Sequence, residues 1–497
     1  MVDVLLTHSY HLAHDAKQWR KMQPYPPLGT LYAATALRAA GITVAVFDPM
    51  FADPLSGFSQ ALEQHQSKLV VIYEDDFNFV TKMCLTHMRE LACKLAGISQ
   101  AIGLTVIAHG SDATDHPAVY LNHGVSFILN GEAEQTLLEL CTSLLQMQQP
   151  QNIPGLVRYS DPDRTLLVSS PAPKNQNWAT LPVAARDLID LKPYRAAWTA
   201  KHGFFSTNVV SSRGCPYGCN WCAKPISGNS FHLRPAQLVA AEMHDLKITS
   251  GVEHVWFGDD VFALDHRWVE AFAVAVESYG EEPLPFKIQS RADLMSDATV
   301  AALKRAGCTE IWMGVESGSQ KILNAMTKGL SLEAVHTARL RLADAGIRAA
   351  YFLQFGYPGE GWAEICETIQ LLRDTRPDDI GVSLSYPLPG TVLYERVRKE
   401  LGTKRNWTNS DDLCTIHTAA YKDEFYHALR NALHAEVAAG YPSAITAACK
   451  SLWAQVHALE PISRNTNVLV VPDEASHSGS HSAFVPLADV IVEARRA

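Results

Sequence analysis

Asn208-Val-Val-Ser-Ser-Arg-Gly-Cys215-Pro-Tyr-Gly-Cys219-Asn-Trp-Cys222 is the stretch on which the reading of this chain turns. Asn208 to Ser212 reads as a strand, and the loop after it carries three cysteines at C-x3-C-x2-C. Thiolates so spaced can each bind one iron of a cubane, and with the next cysteine only at Cys308 one iron stays open to another ligand. The competing reading is a structural zinc site with His232 or another residue as fourth ligand. Against it, zinc sites usually come as paired C-x2-C knuckles.

Working toward the carboxyl terminus, the β/α rhythm continues. Strands are predicted at His254 to Phe257, Phe286 to Ser290, Glu310 to Val315, Ala349 to Phe355 and Ile380 to Ser385. Helices fit between them, such as Pro235 to Ile248 and Leu332 to Ala345, the latter ended by Gly346. Six such units make a partial (β/α)6 barrel over residues 196–405, with chemistry expected at the carboxyl ends of its strands. Those ends are distinctive: Gly258-Asp259-Asp260, Gln289-Ser290-Arg291, Gly314-Val315-Glu316-Ser317-Gly318, Phe355-Gly356-Tyr357-Pro358-Gly359 and Pro387-Leu388-Pro389-Gly390-Thr391. Turn chemistry accounts for single members of the series, a helix cap for one of the two aspartates, and an ion pair for Arg291.

Toward the amino terminus, residues 1–150 alternate short apolar runs with amphipathic segments such as Leu31 to Ala40, the signature of a doubly wound, Rossmann-like parallel sheet. Its strands are predicted at Asp3 to Thr7, Thr43 to Phe47, Leu69 to Tyr73, Leu104 to Ala108 and Val125 to Leu129. Ligands of such sheets lie outside the carboxyl ends of the strands. The loops there contain Tyr25-Pro26-Pro27-Leu28-Gly29, Asp48-Pro49, His109-Gly110-Ser111-Asp112 and Asn130-Gly131-Glu132-Ala133-Glu134. Any one of these glycines can be a turn; three in successive loops favour a ligand. Residues 151–195, rich in Pro, Asn, Gln and Asp, read as an inter-domain connection. Residues 406–497 read as a mainly helical region through Leu459 and a Ser-, His- and Gly-rich tail, Ser476 to Ser482, expected to be mobile.

The 497 residues exceed one hydrophobic core, and 47% apolar with 19% charged residues is an ordinary globular composition. A net charge of −10 argues against nucleic acid and for a small-molecule or peptide substrate. No apolar run approaches the roughly 20 residues of a membrane span. Val2 to Thr7 reads as a strand, not a signal peptide, so a cytoplasmic location is expected. Of ten cysteines, the seven outside positions 215–222 are scattered, unlike a disulfide framework.

The cysteine motif and the strand-end series together resemble the radical SAM superfamily, and the amino-terminal sheet resembles the cobalamin-binding domain of its class B members. The two resemblances cover about residues 1 to 400. They imply a 4Fe-4S cluster on Cys215, Cys219 and Cys222 whose open iron chelates S-adenosylmethionine (SAM) and cleaves it to a 5'-deoxyadenosyl radical. They further imply that Asp259 or Asp260 meets the SAM amino group, though Gly-Asp-Asp departs from the commoner Gly-Gly-Glu. Gln289 and Arg291 would meet its carboxylate, Glu316 and Ser317 its ribose and methionyl end, and Gly356 and Pro358 its adenine. Cobalamin would lie on Leu28, Gly29, Gly110, Ser111, Asn130, Gly131 and Glu132. The axial-histidine segment D-x-H-x-x-G of cobalamin mutases is absent, which leaves the lower face of cobalt to the loop Glu74 to Asn78 or to water.

The resemblance implies methylation of an unactivated carbon, with a flavodoxin or ferredoxin as electron donor. Radical cyclisation, hydroxylation or rearrangement with the same cofactors is the alternative, and a non-catalytic cobalamin sensor or carrier a third. The first domain can also be a scaffold without cofactor. Methylthiotransfer is disfavoured, because Cys84, Cys93 and Cys141 fall inside predicted helices, not in a second cluster-binding trio.

Overall fold

A computed structural model describes residues 1–83, 85–160, 162–174, 183–402, 406–441 and 446–465. The strands of the first sheet are β1 (Val4–Thr7), β2 (Val44–Phe47), β3 (Leu69–Tyr73), β4 (Thr105–His109), β5 (Phe127–Leu129), β6 (Leu156–Tyr159) and β7 (Leu166–Val168), in the order β2-β1-β3-β4-β5-β6-β7. β1 to β5 pair in parallel. Val4, Leu5 and Leu6 of β1 are buried, as expected of a strand covered by helices on both faces. Because the chain steps from β1 outward to β2 and then back across to β3, the crevice for a ligand opens at the carboxyl ends of β1 and β3.

Residues 151–195, expected as a surface connection, instead extend this sheet. β6 pairs antiparallel with β5 and β7 with β6, and the helix Lys192–His202 follows. All three residues of β7 are exposed, so the alternation that marks a half-buried strand is missing from its sequence.

The second sheet consists of β8 (Ser206–Val209), β11 (His254–Phe257), β12 (Phe286–Ser290), β13 (Cys308–Glu316), β14 (Arg348–Phe355) and β15 (Asp379–Leu384), all parallel, with β8 and β15 at the edges. The strand predicted over Asn208 to Ser212 is split. β8 ends at Val209, and β9 (Ser212–Arg213) pairs antiparallel with β10 (His232–Leu233), closing the base of the cysteine loop. The helices Asp423–Ala438 and Ala447–Leu459 lie in the stretch read as mainly helical through Leu459, and Arg373 ties the first of them to the barrel through Glu436 at 2.6 Å. The tail Ser476 to Ser482 and Cys84 lie outside the described residues.

The segment between β1 and the helix Leu28–Ala39 crosses from the first domain to the barrel. Trp198 Nε1 donates to the Pro24 carbonyl at 2.7 Å and Asn208 Nδ2 to that of Pro26 at 2.9 Å, while Tyr25 packs against Trp198 and Trp256 with ring centroids at 5.3 and 4.8 Å. Farther along, Arg20 pairs with Asp411 at 2.7 Å, and Asp15 accepts from the Ser410 hydroxyl at 2.8 Å. Tyr10, Leu12, Tyr25 and Met50 accordingly share one apolar core with Trp198, Trp256 and Phe257.

Arg213, two residues before Cys215, is 2% exposed and makes a bidentate pair with Glu134 of the first domain, at 3.1 and 2.5 Å, beside Asp76 at 3.7 Å and over the Phe77 ring. Burial pushes the Glu134 carboxyl up, but the Arg213 charge and hydrogen bonds outweigh it and hold the group below its usual value. A depressed carboxyl contributes stability that is present at neutral pH and lost as pH falls through the folded-state value. Removing one partner of a buried pair leaves an uncompensated charge. Glu134→Gln is therefore expected to lower the unfolding free energy by about 3 kcal/mol at neutral pH, read as a reduced urea midpoint. In the unmodified protein the midpoint should fall on acidification more steeply than in the variant.

Candidate active site

A cavity of about 570 Å³ is walled by both domains: the cysteine loop, Asp260, Gln289 and Glu316 from the barrel, and Asp76, Asn78 and Ser111 from the first domain. Its position at the carboxyl ends of both sheets is where parallel α/β folds place their ligands.

The cysteine loop is held from beneath by Asn220. Its backbone N–H donates to Met326 O at 3.1 Å, its side-chain amide donates to Ala325 O and Thr327 Oγ1 at 2.7 and 3.1 Å, and its side-chain oxygen accepts from Tyr357 at 2.9 Å. Trp221 packs against Ile322, Met326 and Tyr357 and, like the neighbouring cysteines, lines the cavity wall. Lys224 ties the loop to itself through the Cys215 and Tyr217 carbonyls and Asn229. Gly214, at φ +85°, lies so close to the Ser230 carbonyl that any Cβ would collide with it.

Burial, and after it the neighbouring thiols, push Cys222 up to about 12, and burial raises Cys215 as well. Thiols that resist ionisation, as Cys215 and Cys222 do, need a strongly positive partner to become ligands, which iron supplies. No three Cys, His, Asp or Glu side chains among the described residues converge as a single-ion site requires. A tetrahedral zinc site needs that convergence. A cubane takes each thiolate on a different iron, so the donor set fits the cluster.

The paired carboxylates divide the work. Asp259 is buried, and its oxygens accept from the Ser211 N–H at 3.2 and 3.1 Å and from the hydroxyls of Ser211 and Ser212. Burial raises its carboxyl to about 6. It thus braces the strand leading to the cysteines, and Asp260 is the one on the cavity wall, paired with Lys82 of the first domain at 2.6 Å. Glu316 has φ +65° at a register shift between β13 and β14, a conformation that re-aims its side chain into the cavity, where Lys328 meets it at 2.9 Å. Burial lowers the Lys328 ammonium, but Glu316 carries it above its ordinary value.

Arg291 is committed to structure. It pairs with Asp293 at 2.9 and 3.0 Å, donates to the Lys328 and Gly329 carbonyls at 3.0 Å, and stacks on Tyr217 with 3.8 Å to the ring centroid. Gln289 reaches the cavity with its side chain uncommitted among the described residues. Ser317 is fully buried and bonds Thr368 and the Ser319 N–H, away from the cavity. Gly356 and Pro358 do not line the cavity but flank Tyr357, which bonds Asn220 of the cysteine loop; Gly356 N–H donates to Glu360 at 2.5 Å and its carbonyl faces His417 Nε2 at 3.1 Å.

In the first domain the structure redistributes the expected contacts. Leu28 is core, and Gly29 and Gly110 are small for the protein's own sake: a Cβ would stand 2.8 Å from Asp76 Oδ1 at Gly29 and 2.9 Å from Glu74 Cβ at Gly110. Asn130, Gly131 and Glu132 face Gly155, Ala172 and Ser230, where the first sheet meets the barrel loop. Of that set only Ser111 lines the cavity. The loop Glu74 to Asn78 does so more fully, through Asp76, Phe77 and Asn78, and among the described residues Asp75 Oδ2 and Asp76 Oδ1 are buried without a hydrogen-bond partner. Orphaned acceptors at a ligand crevice fit the amide-rich rim of a corrin. Lys82, Lys328 and Asn220 escaped the sequence reading, whereas Asp76 lies inside the loop Glu74 to Asn78 that it offered to cobalt. Only Asn220, inside the cysteine motif, carried a signal there.

Residues 209–372 match the model of the radical SAM superfamily. The chain's fold as a whole is that of the superfamily's cobalamin-dependent members. It is similar to TsrM from Kitasatospora setae, a radical S-adenosylmethionine methyltransferase solved with cobalamin and a [4Fe-4S] cluster (TM-score 0.66, 18% identity, 80% of this chain and 78% of that one). It is also similar to the cobalamin-dependent S-adenosylmethionine radical enzyme OxsB, solved with aqua-cobalamin (TM-score 0.68, 16% identity, 93% and 72%). In sequence it is 26% identical over 392 residues to an uncharacterized methyltransferase of Pyrococcus horikoshii, covering 77% of this chain and 81% of the relative.

Replacing Cys215, Cys219 and Cys222 together with Ala should abolish iron and sulfide incorporation on anaerobic reconstitution, and full retention would reject the ligand assignment. Asn220→Leu keeps every thiol but removes the side-chain bonds to the Ala325 carbonyl, the Thr327 hydroxyl and the Tyr357 hydroxyl, at about 1–3 kcal/mol for each buried group left unsatisfied. Its expected signature is reduced iron content with all three thiols still titratable.

Proposed function

We propose that the chain is a cobalamin-dependent methyltransferase that modifies a carbon of a small-molecule or peptide substrate, drawing electrons from a flavodoxin or ferredoxin. The observation that supports it is the shared cavity. Thiols for a cluster and carboxylates for SAM open onto it from one domain, and Asp76, Phe77 and Asn78 at a sheet switch point open onto it from the other. When bound, the cluster supplies the electron that cleaves SAM, and cobalamin supplies the methyl group to be moved.

The protein's own part is to hold and orient. Cys215, Cys219 and Cys222 take three irons and leave the fourth open. Glu316, aimed by Lys328, accepts from the ribose hydroxyls. Asp260 accepts from the amino group, with Lys82 available to release it. Asp76 accepts from the corrin's amides, while Tyr10, Met50 and Phe77 keep water from that wall. Seating the reacting groups in one protein-walled chamber is what limits side reactions with solvent.

Glu316→Gln and Asp260→Asn should each weaken SAM binding roughly ten- to hundredfold, the loss of one charge-assisted hydrogen bond of about 1.5–3 kcal/mol, with iron content retained. Unchanged SAM affinity in both would reject these roles. Ser111→Trp should fill the first domain's share of the cavity and prevent cobalamin retention, read as cobalt per chain. The overall reaction is tested with SAM labelled in its methyl carbon: label is expected on the bound cobalamin. Formation of 5'-deoxyadenosine with no label on cobalamin would replace methyl transfer with a cyclisation or rearrangement.

A further inference from the structure

The mechanism above leaves one region of the cavity without a role. Away from the cysteine loop, Trp256 of β11, Lys287 of β12, Trp312 of β13, Phe352 of β14 and Gly381 of β15 line it. Register places Trp256 opposite Lys287, and Phe352 opposite Gly381. The Trp312 and Phe352 rings lie 4.8 Å apart and lean over Gly381, where a Cβ would stand 3.1 Å from Phe352 and 3.3 Å from Trp312. The glycine thus makes space for a slab of aromatic surface on the inner face of the barrel.

Cationic groups converge beside that slab. Lys17 and Lys21 come from the helix Ala16–Lys21, in the segment that runs from the Trp198 and Trp256 side of the barrel to Asp411, and both line the cavity with Lys287. The carboxylates facing them are few. Glu310 is held by Arg348 at 3.1 Å and by Trp312 Nε1 at 2.8 Å, and Asp411 by Arg20 and Arg430. Asp15 is engaged by Ser410 and Gln18, which leaves Asp379 as the remaining counter-charge. The side-chain amines of Lys21 and Lys287 make no ion pair or hydrogen bond among the described residues. Burial lowers the Lys287 ammonium and brings Lys17 down to about 8, as befits amines lacking a partner anion.

We infer that this chamber binds a planar aromatic carboxylate, its ring against Trp312, Phe352 and Trp256 and its carboxylate toward Lys287, Lys21 and Lys17. The inference rests on the proposed function only in taking this molecule as the substrate. Because the chamber is continuous with the cavity wall formed by the cysteines, a ring anchored at its acidic end presents its far edge to the reacting groups. The lysines recognise a charge and the aromatic slab a flat face, so a neutral isostere loses the first contact and keeps the second.

The test uses the full-length, cluster-reconstituted protein and a matched pair of probes, 2-naphthoate and the neutral 2-naphthamide, with binding read by quenching of tryptophan fluorescence and by calorimetry. Naphthoate should bind at least tenfold more tightly than naphthamide. Lys287→Met should remove most of that difference without weakening naphthamide, and Lys287→Arg should restore it. Lys21→Met, at a more exposed position, should reduce naphthoate affinity severalfold and decides the matter if Lys287→Met does not fold. Equal affinities of the two probes for the unmodified protein, or naphthoate binding unchanged in both Met variants, overturns the inference. SAM affinity measured on the same unmodified sample separates the two readings. Probe discrimination without SAM binding rejects the radical enzyme and leaves the anion chamber, and SAM binding without discrimination does the reverse.

Discussion

A guanidinium buried between two domains is the constraint on which the rest of this structure depends. Arg213 belongs to the barrel by sequence, yet its charge is neutralised by Glu134 and approached by Asp76, both of the first domain. Alone in that environment it would carry a desolvation penalty of several kcal/mol, so the sheets cannot drift apart without exposing or orphaning it. Since Cys215 follows two residues later, the same pair fixes the cysteine loop against the loop of β3 that carries Asp76, Phe77 and Asn78. A buried pair of this kind is weak evidence for stability and better evidence for register: it sets which surfaces face each other.

Around that joint, other charged groups hold each other in readiness. Lys82 crosses from one domain to Asp260 of the other, and Lys328 holds Glu316 in a backbone conformation that a non-glycine residue rarely adopts. Sites often store strain of this sort where a side chain must be aimed. The positions of Asp260 and Glu316 follow from their lysines as much as from their strands.

The barrel was legible because each parallel strand is a short apolar run ending in a polar or glycine-rich loop, a pattern that survives in one dimension. The cysteine spacing was legible for the same reason. The split of Asn208 to Ser212 into two strands was not, since it is decided by pairing with His232 and Leu233 twenty residues on. Nor was β7, whose three exposed residues lack alternation. Gly29 and Gly110 show a different limit. Sequence marks where a side chain is missing but not what fills the space, and at both positions a neighbouring acidic residue does. Asp259 and Asp260 show a third: adjacent and chemically alike, they are separated only by which way the strand end turns.

The segment joining β1 to its helix has consequences for how the polypeptide is made. Asp15 meets Ser410 across 395 positions, and Trp198 reaches Pro24 across 174. On a ribosome the amino-terminal sheet can condense early, but Tyr10, Leu12 and Tyr25 wait, apolar and uncovered, until most of the barrel has emerged. Contacts of such sequence separation form late because loop closure must precede their reward. The nascent chain therefore passes through a long interval in which its first domain is shaped yet sticky, a natural substrate for holdase chaperones. The same topology forbids cutting the protein into independent halves, since the barrel's core is completed by residues translated before it.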